Sequence, residues 1–432
     1  MKNVLTAGLG LVLLISCNDN DVITDAKDYN PFMREGIIDK EVMKIQREVL
    51  FWEQRLGKDT GNNINLLELA NCHLRLFKST GEVMSLSLAD SLLKRSSALL
   101  RNTDPDILYA LSQTAITQHQ FQNAANYNQE GEKMNGSKYK SHILAFDAGM
   151  ELGQYHSATQ KLEKLRDRNS FDFLIRESKL EDHKGNLDKA IHIMEYAFDI
   201  VKEKNQSLYC WTLSNLADMY GHAGRIEDAY KAYLNVLSRD SSYLYALKGI
   251  AWIAFSNDRS IAEAKRIYKY LLSQTKMPDI LLRLAEMEEW EGNAEAAKAY
   301  TLEFIKEVSQ PLYGDMYYKY LIEIYAEKII DLDRALVLAQ KEVSSRPTPE
   351  TFDWLAWVHY KRGELEQAYG LTMSYVYKQT HEPVANYHTA LIFAANGKRE
   401  IAKKLLKECL QSSFEVGPFL VKEIKTQLHL MH

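Results

Sequence analysis

The chain of 432 residues has no run of basic residues, and its formal charge is −5. Both facts argue against a nucleic-acid partner, because phosphate backbones are held by clustered positive charge. Eight prolines and twenty glycines are too few for long disordered stretches. Four cysteines, Cys17, Cys72, Cys210 and Cys409, give no disulfide framework. The last three lie several helices apart, whereas bridged Cα atoms must approach within about 7 Å, so buried free thiols are expected. There is no His-Glu-x-x-His, no Cys-x-x-Cys, no phosphate loop and no Gly-x-Ser-x-Gly elbow. The twelve histidines are scattered singly. No enzyme, cofactor or metal is therefore expected. Glu181-Asp182-His183 precedes Gly185 and reads as a polar turn reaching solvent, and Glu288-Glu289 reads as a solvated helix face.

Hydrophobic residues at 46% and charged residues at 26% match a folded globular chain. The first 17 residues stand apart. Lys2 is followed by an apolar run from Val4 to Ile15, too short to span a bilayer, and Ser16-Cys17 closes it. Leu14-Ile15-Ser16-Cys17 resembles the lipobox of bacterial lipoproteins, which implies N-terminal acylation of Cys17 and attachment to a lipid bilayer. Residues 18–30, with Asp19, Asp21, Asp25 and Asp28, then read as an acidic tether.

The rest is periodic. Ala217, Gly224 and Ala229 recur as Ala285, Gly292 and Ala297, and Ala356, Gly363 and Ala368 recur as Ala390, Gly397 and Ala402. If the first small residue is position 8 of a unit, the turn glycine is position 15 and the alanine position 20. Small side chains at 8 and 20 let two helices of a hairpin approach, and a residue tolerating positive φ ends the first helix. Large residues at 4, 7, 11, 24 and 27 form the stripe that packs on the next unit; in the unit starting at Cys210 they are Leu213, Leu216, Tyr220, Tyr233 and Val236. Ten units start near Asn63, Pro105, Tyr139, Phe171, Cys210, Leu244, Pro278, Met316, Pro349 and Pro383. Asp104 and Thr348 are placed to cap two of them. Phe146 and Ser178 occupy position 8 of the third and fourth units and predict looser pairing there, while the unit near Met316 lacks a turn glycine and has no clear register. Residues 31–62, with Ile38, Val42, Ile45, Val49 and Trp52 at helical spacing, and residues 417–432 read as capping helices around an array spanning 63–416.

This pattern resembles the tetratricopeptide repeat family. The resemblance implies an all-α, right-handed superhelical solenoid of about ten helical hairpins whose first helices line a concave groove with positions 2, 5, 9 and 12. Those positions hold Trp211, Asp218, Tyr245, Trp252, Phe255, Glu286, Glu289, Asp353, Trp357, Tyr360 and Tyr387, an aromatic and acidic set suited to a peptide segment or a sugar ring. A carboxylate clamp is not expected, since only Lys248 sits where such clamps carry a cation and Trp252 replaces the asparagine. The expected function is a membrane-anchored scaffold of a bacterial cell envelope that binds a protein partner in its groove. The alternative is capture of a glycan or small ligand beside an outer-membrane transporter.

Overall fold

The computed structural model describes residues 22–431 except 35 and 166. Residues 1–21, with the apolar run from Val4 to Ile15 and Cys17, lie outside the described residues, as does the side chain of Ile38. Ten helical hairpins follow one another. The first five pair Asn63–Thr80 with Val83–Leu99, Pro105–Thr117 with Phe121–Lys133, Lys138–Glu151 with Tyr155–Glu163, Phe171–His183 with Leu187–Val201, and Gln206–His222 with Ile226–Arg239. The next five pair Leu244–Ser256 with Ile261–Gln274, Asp279–Trp290 with Ala294–Val308, Tyr318–Glu327 with Leu332–Ser345, Pro349–Lys361 with Leu365–Leu371, and Pro383–Ala395 with Arg399–Cys409. These are the ten units the period predicts, in an all-helical solenoid.

The hairpins close for the reason the spacing implies. Ala217, Ala229, Ala356, Ala368, Ala390 and Ala402 are wholly buried where the paired helices cross. Serine serves as well as alanine there: Ser112 Oγ donates to the carbonyl of Ala124 at 2.8 Å and Ser178 Oγ to that of Ala190 at 2.7 Å. The looser pairing expected at Ser178 is therefore corrected, because its hydroxyl ties the two helices together. Phe146 is also wholly buried, and Gly149 one turn later approaches Ala158 so closely that a Cβ on it would lie 3.2 Å from the alanine methyl. Asp104 caps its helix through the Asp106 N–H, and Thr348 forms a reciprocal capping pair with Thr351. Cys72, Cys210 and Cys409 are free and buried, and burial pushes the Cys210 and Cys409 thiols up to about 11 and about 12.

Every hairpin turn carries one residue at positive φ. Seven are glycine, namely Gly81, Gly153, Gly185, Gly224, Gly292, Gly363 and Gly397; the others are His119, Arg259 and Ile330. The turns of the sixth and eighth units are one residue longer, with closing bonds from Ser260 N to Ala254 O and from Asp331 N to Tyr325 O, whereas the fifth closes from Arg225 N to Tyr220 O. This resolves the register of the eighth unit: it starts one residue earlier than Met316, with Ile322 at the buried crossing. Ile330 at φ 59 is a β-branched residue in the left-handed region and is 62% exposed. Ile330→Gly is expected to stabilise the chain by about 1 kcal/mol, the relieved strain exceeding the added chain entropy. Equilibrium urea unfolding checks it, and a loss of stability would refute the strain.

Successive turns of the superhelix touch, several times between units six apart. Lys276 N donates to Thr80 O at 2.7 Å, joining the turn of the first unit to the entrance of the seventh. Gly153 lies against the Pro347 carbonyl, and Arg346 pairs with Glu151 at 3.6 Å, joining the third to the ninth. Gly185 packs on the His381 ring, joining the fourth to the tenth, and Gly221 packs on Phe414, joining the fifth to the C-terminal helix. The concave face is thereby enclosed as the wall of a channel.

Both ends are used to lock this closure. The helix Ile37–Lys58 caps the first unit through Val42, Ile45, Val49 and Trp52 against Cys72 and Leu76. Ahead of it, residues 22–34 are not a solvated tether. Ile23 and Thr24 donate their N–H groups to the Asp258 carboxylate at 3.1 and 2.9 Å, and Asp25 caps the short helix Ala26–Tyr29. Tyr29 is wholly buried with its hydroxyl on Glu263, while Arg266 holds Asn30 at 2.6 Å. The acidic residues Asp25 and Asp28 are spent on the cap and on Tyr230, and burial of Tyr29 and Ile23 on the second helices of the fifth and sixth units is what orders the segment. At the other end Ser413–Leu430 is a helix kinked at Gly417, which packs both on the last unit and on the fifth and sixth.

Candidate functional site

The first helices of the hairpins line the inner face, and repeat positions 2, 5, 9 and 12 fall on it. The predicted groove residues divide into three groups there. In the first, Tyr245 is 44% exposed and Trp211 is half-buried, edge-on to Phe171 at 6.2 Å. The Tyr245 hydroxyl donates to Asp218 at 2.7 Å and the Tyr233 hydroxyl donates to its other oxygen. Burial raises the Asp218 carboxyl above its usual range although both hydroxyls oppose the shift. This patch presents rings whose polar tips are already oriented.

The second group is buried. Asp353 and Trp357 are each 3% exposed, and Tyr387 is 7%. Trp357 donates its indole N–H to Glu327 at 2.8 Å and stacks on His388 at 4.0 Å and on Tyr360 at 5.0 Å. Asp353 holds His388 Nδ1 at 2.8 Å. These residues satisfy one another rather than offering themselves, because the tenth unit lies directly over the ninth. Phe255 is likewise wholly buried. Burial alone would depress His388, but the Asp353 charge and hydrogen bond, with Glu327 and Glu323 nearby, raise it above the ordinary imidazole value. A folded-state value above the unfolded one stabilises fully below about pH 6.5 and is lost as pH rises through the folded value. The stability difference between the unaltered chain and His388→Gln is therefore expected to shrink from pH 6 upward. A difference constant with pH would refute the charged pair.

The third group holds the chain's own C-terminal segment. Trp252 Nε1 donates to the Phe414 carbonyl at 3.1 Å and Ser256 Oγ to the same oxygen at 2.6 Å. Gly417 lies against the Trp252 ring and near Glu286, which Arg283 pairs with at 2.8 Å while its guanidinium stacks on Trp252 at 4.3 Å. Phe419 meets Trp290 edge-on at 4.9 Å.

Further along the channel a cavity of about 380 Å³ opens between Tyr155 and His183 on one wall and Lys319, Glu323, Trp354 and Glu382 on the other. Burial raises the carboxyls of Asp182, Glu323 and Glu382 and depresses His183. The solvent-facing reading of Glu181-Asp182-His183 holds for Asp182, which is exposed, and is corrected for Glu181, which is buried. Glu181 is buried in a brace with Lys184 and Asn186 that holds it down at about 2, while Asp182 and His183 face the channel. Glu288 repeats the brace with Lys265 and Asn293, and only Glu289 is exposed. Lys319 and Glu323 were missed as groove residues because the one-residue register shift moves them to positions 5 and 9. The longer turn, closed from Asp331 N to Tyr325 O, and Ile330 at positive φ are what reveal it. Among the described residues no group of three or more His, Cys, Asp or Glu is placed to hold a metal ion, and no helix is long and apolar enough to cross a membrane.

No family model matches the chain, and no curated protein matches it. Its structure is similar to a chain in the crystal structure of the APC/C hetero-tetramer Cut9-Hcn1, at 13% identity over 91% of this chain and 95% of that one, with a TM-score of 0.34.

Proposed function

We propose that this chain is a protein-binding scaffold of a bacterial cell envelope, anchored by acylation of Cys17, that docks a segment of a partner protein on its inner face. The observation that carries the docking reading is the pair of side chains Trp252 and Ser256 converging on one main-chain carbonyl: this face binds polypeptide backbone. Beside them Tyr245 and Trp211 supply large rings with polar tips at low entropic cost. The anchor reading rests on the sequence of the first 17 residues. With Ile23 docked on the sixth unit, six residue steps separate it from Cys17, a reach of about 20 Å at 3.3–3.6 Å per residue. The second helices of the fifth and sixth units would then ride close to the lipid surface.

Crosslinking in the native envelope, pulldown and mass spectrometry test the docking. A reproducible partner is expected, and Tyr245→Ala with Trp211→Ala should reduce its recovery at least tenfold without lowering the melting temperature. Undiminished recovery would sink the inner-face assignment. Cys17→Ala should release the protein from membranes, and persistent tight association would refute the lipid anchor.

A further inference from the structure

The segment Ser413–Phe419 is held on the inner face by features that select a pattern. The Phe414 carbonyl takes two side-chain hydrogen bonds, at 3.1 Å from Trp252 and 2.6 Å from Ser256. The Phe414 ring fills the space over Gly221, where a Cβ would come within 2.5 Å of it. Gly417, at φ 76, lies flat on the Trp252 ring, where a Cβ would meet the indole at 2.9 Å. Pro418 follows, and Phe419 sets its edge on Trp290 at 4.9 Å. The contacts span the first helices of the fifth, sixth and seventh units, at the rim of the channel. The segment is helical on either side of Gly417, and Pro418 lacks the N–H that the Phe414 carbonyl would otherwise accept within the helix, so that carbonyl is left for the two side chains. Holding the segment in place also confines Glu415 beside His222, Asp182 and Lys319, where burial raises its carboxyl above the usual range.

We infer that Ser413–Phe419 is a resident occupant of the docking groove, and that the partner inserts a kinked helical segment of the same pattern, an aromatic residue followed three positions later by Gly-Pro-aromatic, after displacing it. The inference rests on the docking reading above. It makes the C-terminus a built-in competitor: the closed chain and the partner-bound chain use the same hydrogen bonds from Trp252 and Ser256, so only one segment is held at a time.

The test uses the full chain and a fluorescein-labelled peptide of residues 413–421. Phe414→Ala with Gly417→Val releases the resident segment by removing its ring and placing a branched side chain at a left-handed position against the indole. Fluorescence anisotropy should show saturable peptide binding to this variant at least tenfold tighter than to the unaltered chain, and adding Trp252→Ala should abolish it. Phe414→Ala alone serves if the double variant loses helicity. Absence of binding to a variant of undiminished helicity, or equal binding to the unaltered chain, overturns the inference. The recovery of a partner in the crosslinking experiment stands or falls separately, since it does not depend on the labelled peptide.

Discussion

Trp357→Ala is expected to destabilise the chain by about 3–5 kcal/mol, the range for removing a buried large aromatic. The indole is 3% exposed, sandwiched between His388 at 4.0 Å and Tyr360 at 5.0 Å, and its N–H satisfies Glu327 at 2.8 Å. Truncation leaves a void between the ninth and tenth units, strips His388 of its stacking partner and leaves a Glu327 oxygen without its donor. In a solenoid each unit is stabilised mainly by its neighbours, so the loss should appear as early unfolding of the last two units rather than as a uniform weakening. Urea unfolding followed by far-ultraviolet circular dichroism, with hydrogen exchange to locate the opening, measures it. A loss below about 1 kcal/mol would mean the cluster is not packed as described. The result also decides how binding is tested. Trp357, which repeat position alone places on the groove, reports folding rather than docking, whereas Tyr245 and Trp211 report docking.

A comparison of Gly153→Ala with Gly224→Ala should show a large difference between two glycines that look alike in sequence. Both sit at the turn of a hairpin with positive φ, 71 and 73, so each substitution costs about 1–2 kcal/mol of backbone strain. A Cβ on Gly224 meets nothing within 4 Å, but one on Gly153 would lie 2.7 Å from the Pro347 carbonyl oxygen. Backbone cannot rotate away as a side chain can, so the third and ninth units must separate, adding about 1–3 kcal/mol of overpacking. Gly153→Ala is therefore expected to lower stability by about 2–5 kcal/mol against about 1–2 for Gly224→Ala. Equal losses in chemical denaturation would refute the contact between superhelical turns. A shape measurement by small-angle scattering gives a second readout, since the altered chain should lengthen as its turns come apart.

The hairpins were legible because their determinants are local. Two helices that cross at positions 8 and 20 need small residues there whatever surrounds them, so Ala217 with Ala229 and Ala390 with Ala402 announce themselves. Where the rule was bent, the repair was local but less visible: Gly149 makes room beside Phe146, and the Ser178 hydroxyl binds the Ala190 carbonyl. The inner face was legible as a set of positions and much less so as a site. Asp353, Trp357, Tyr387 and Phe255 occupy groove positions yet are covered, and Lys319 and Glu323 line the channel although a turn one residue longer hid their register.

Sequence by itself determined the number of hairpins, the inward face of the helices outside the eighth unit, the caps at Asp104 and Thr348 and the buried thiols. Only the tertiary structure decided the curvature, and curvature decided the rest. Small rotations between neighbouring units accumulate until units six apart meet, a relation no local spacing records. That meeting placed His381 on Gly185 and Phe414 on Gly221, drew the N-terminal residues 22–34 onto the fifth and sixth units, and laid the C-terminal segment across Trp252. A residue exposed on an isolated hairpin is thus buried or occupied in the closed superhelix, because its neighbour in space lies far away in the chain.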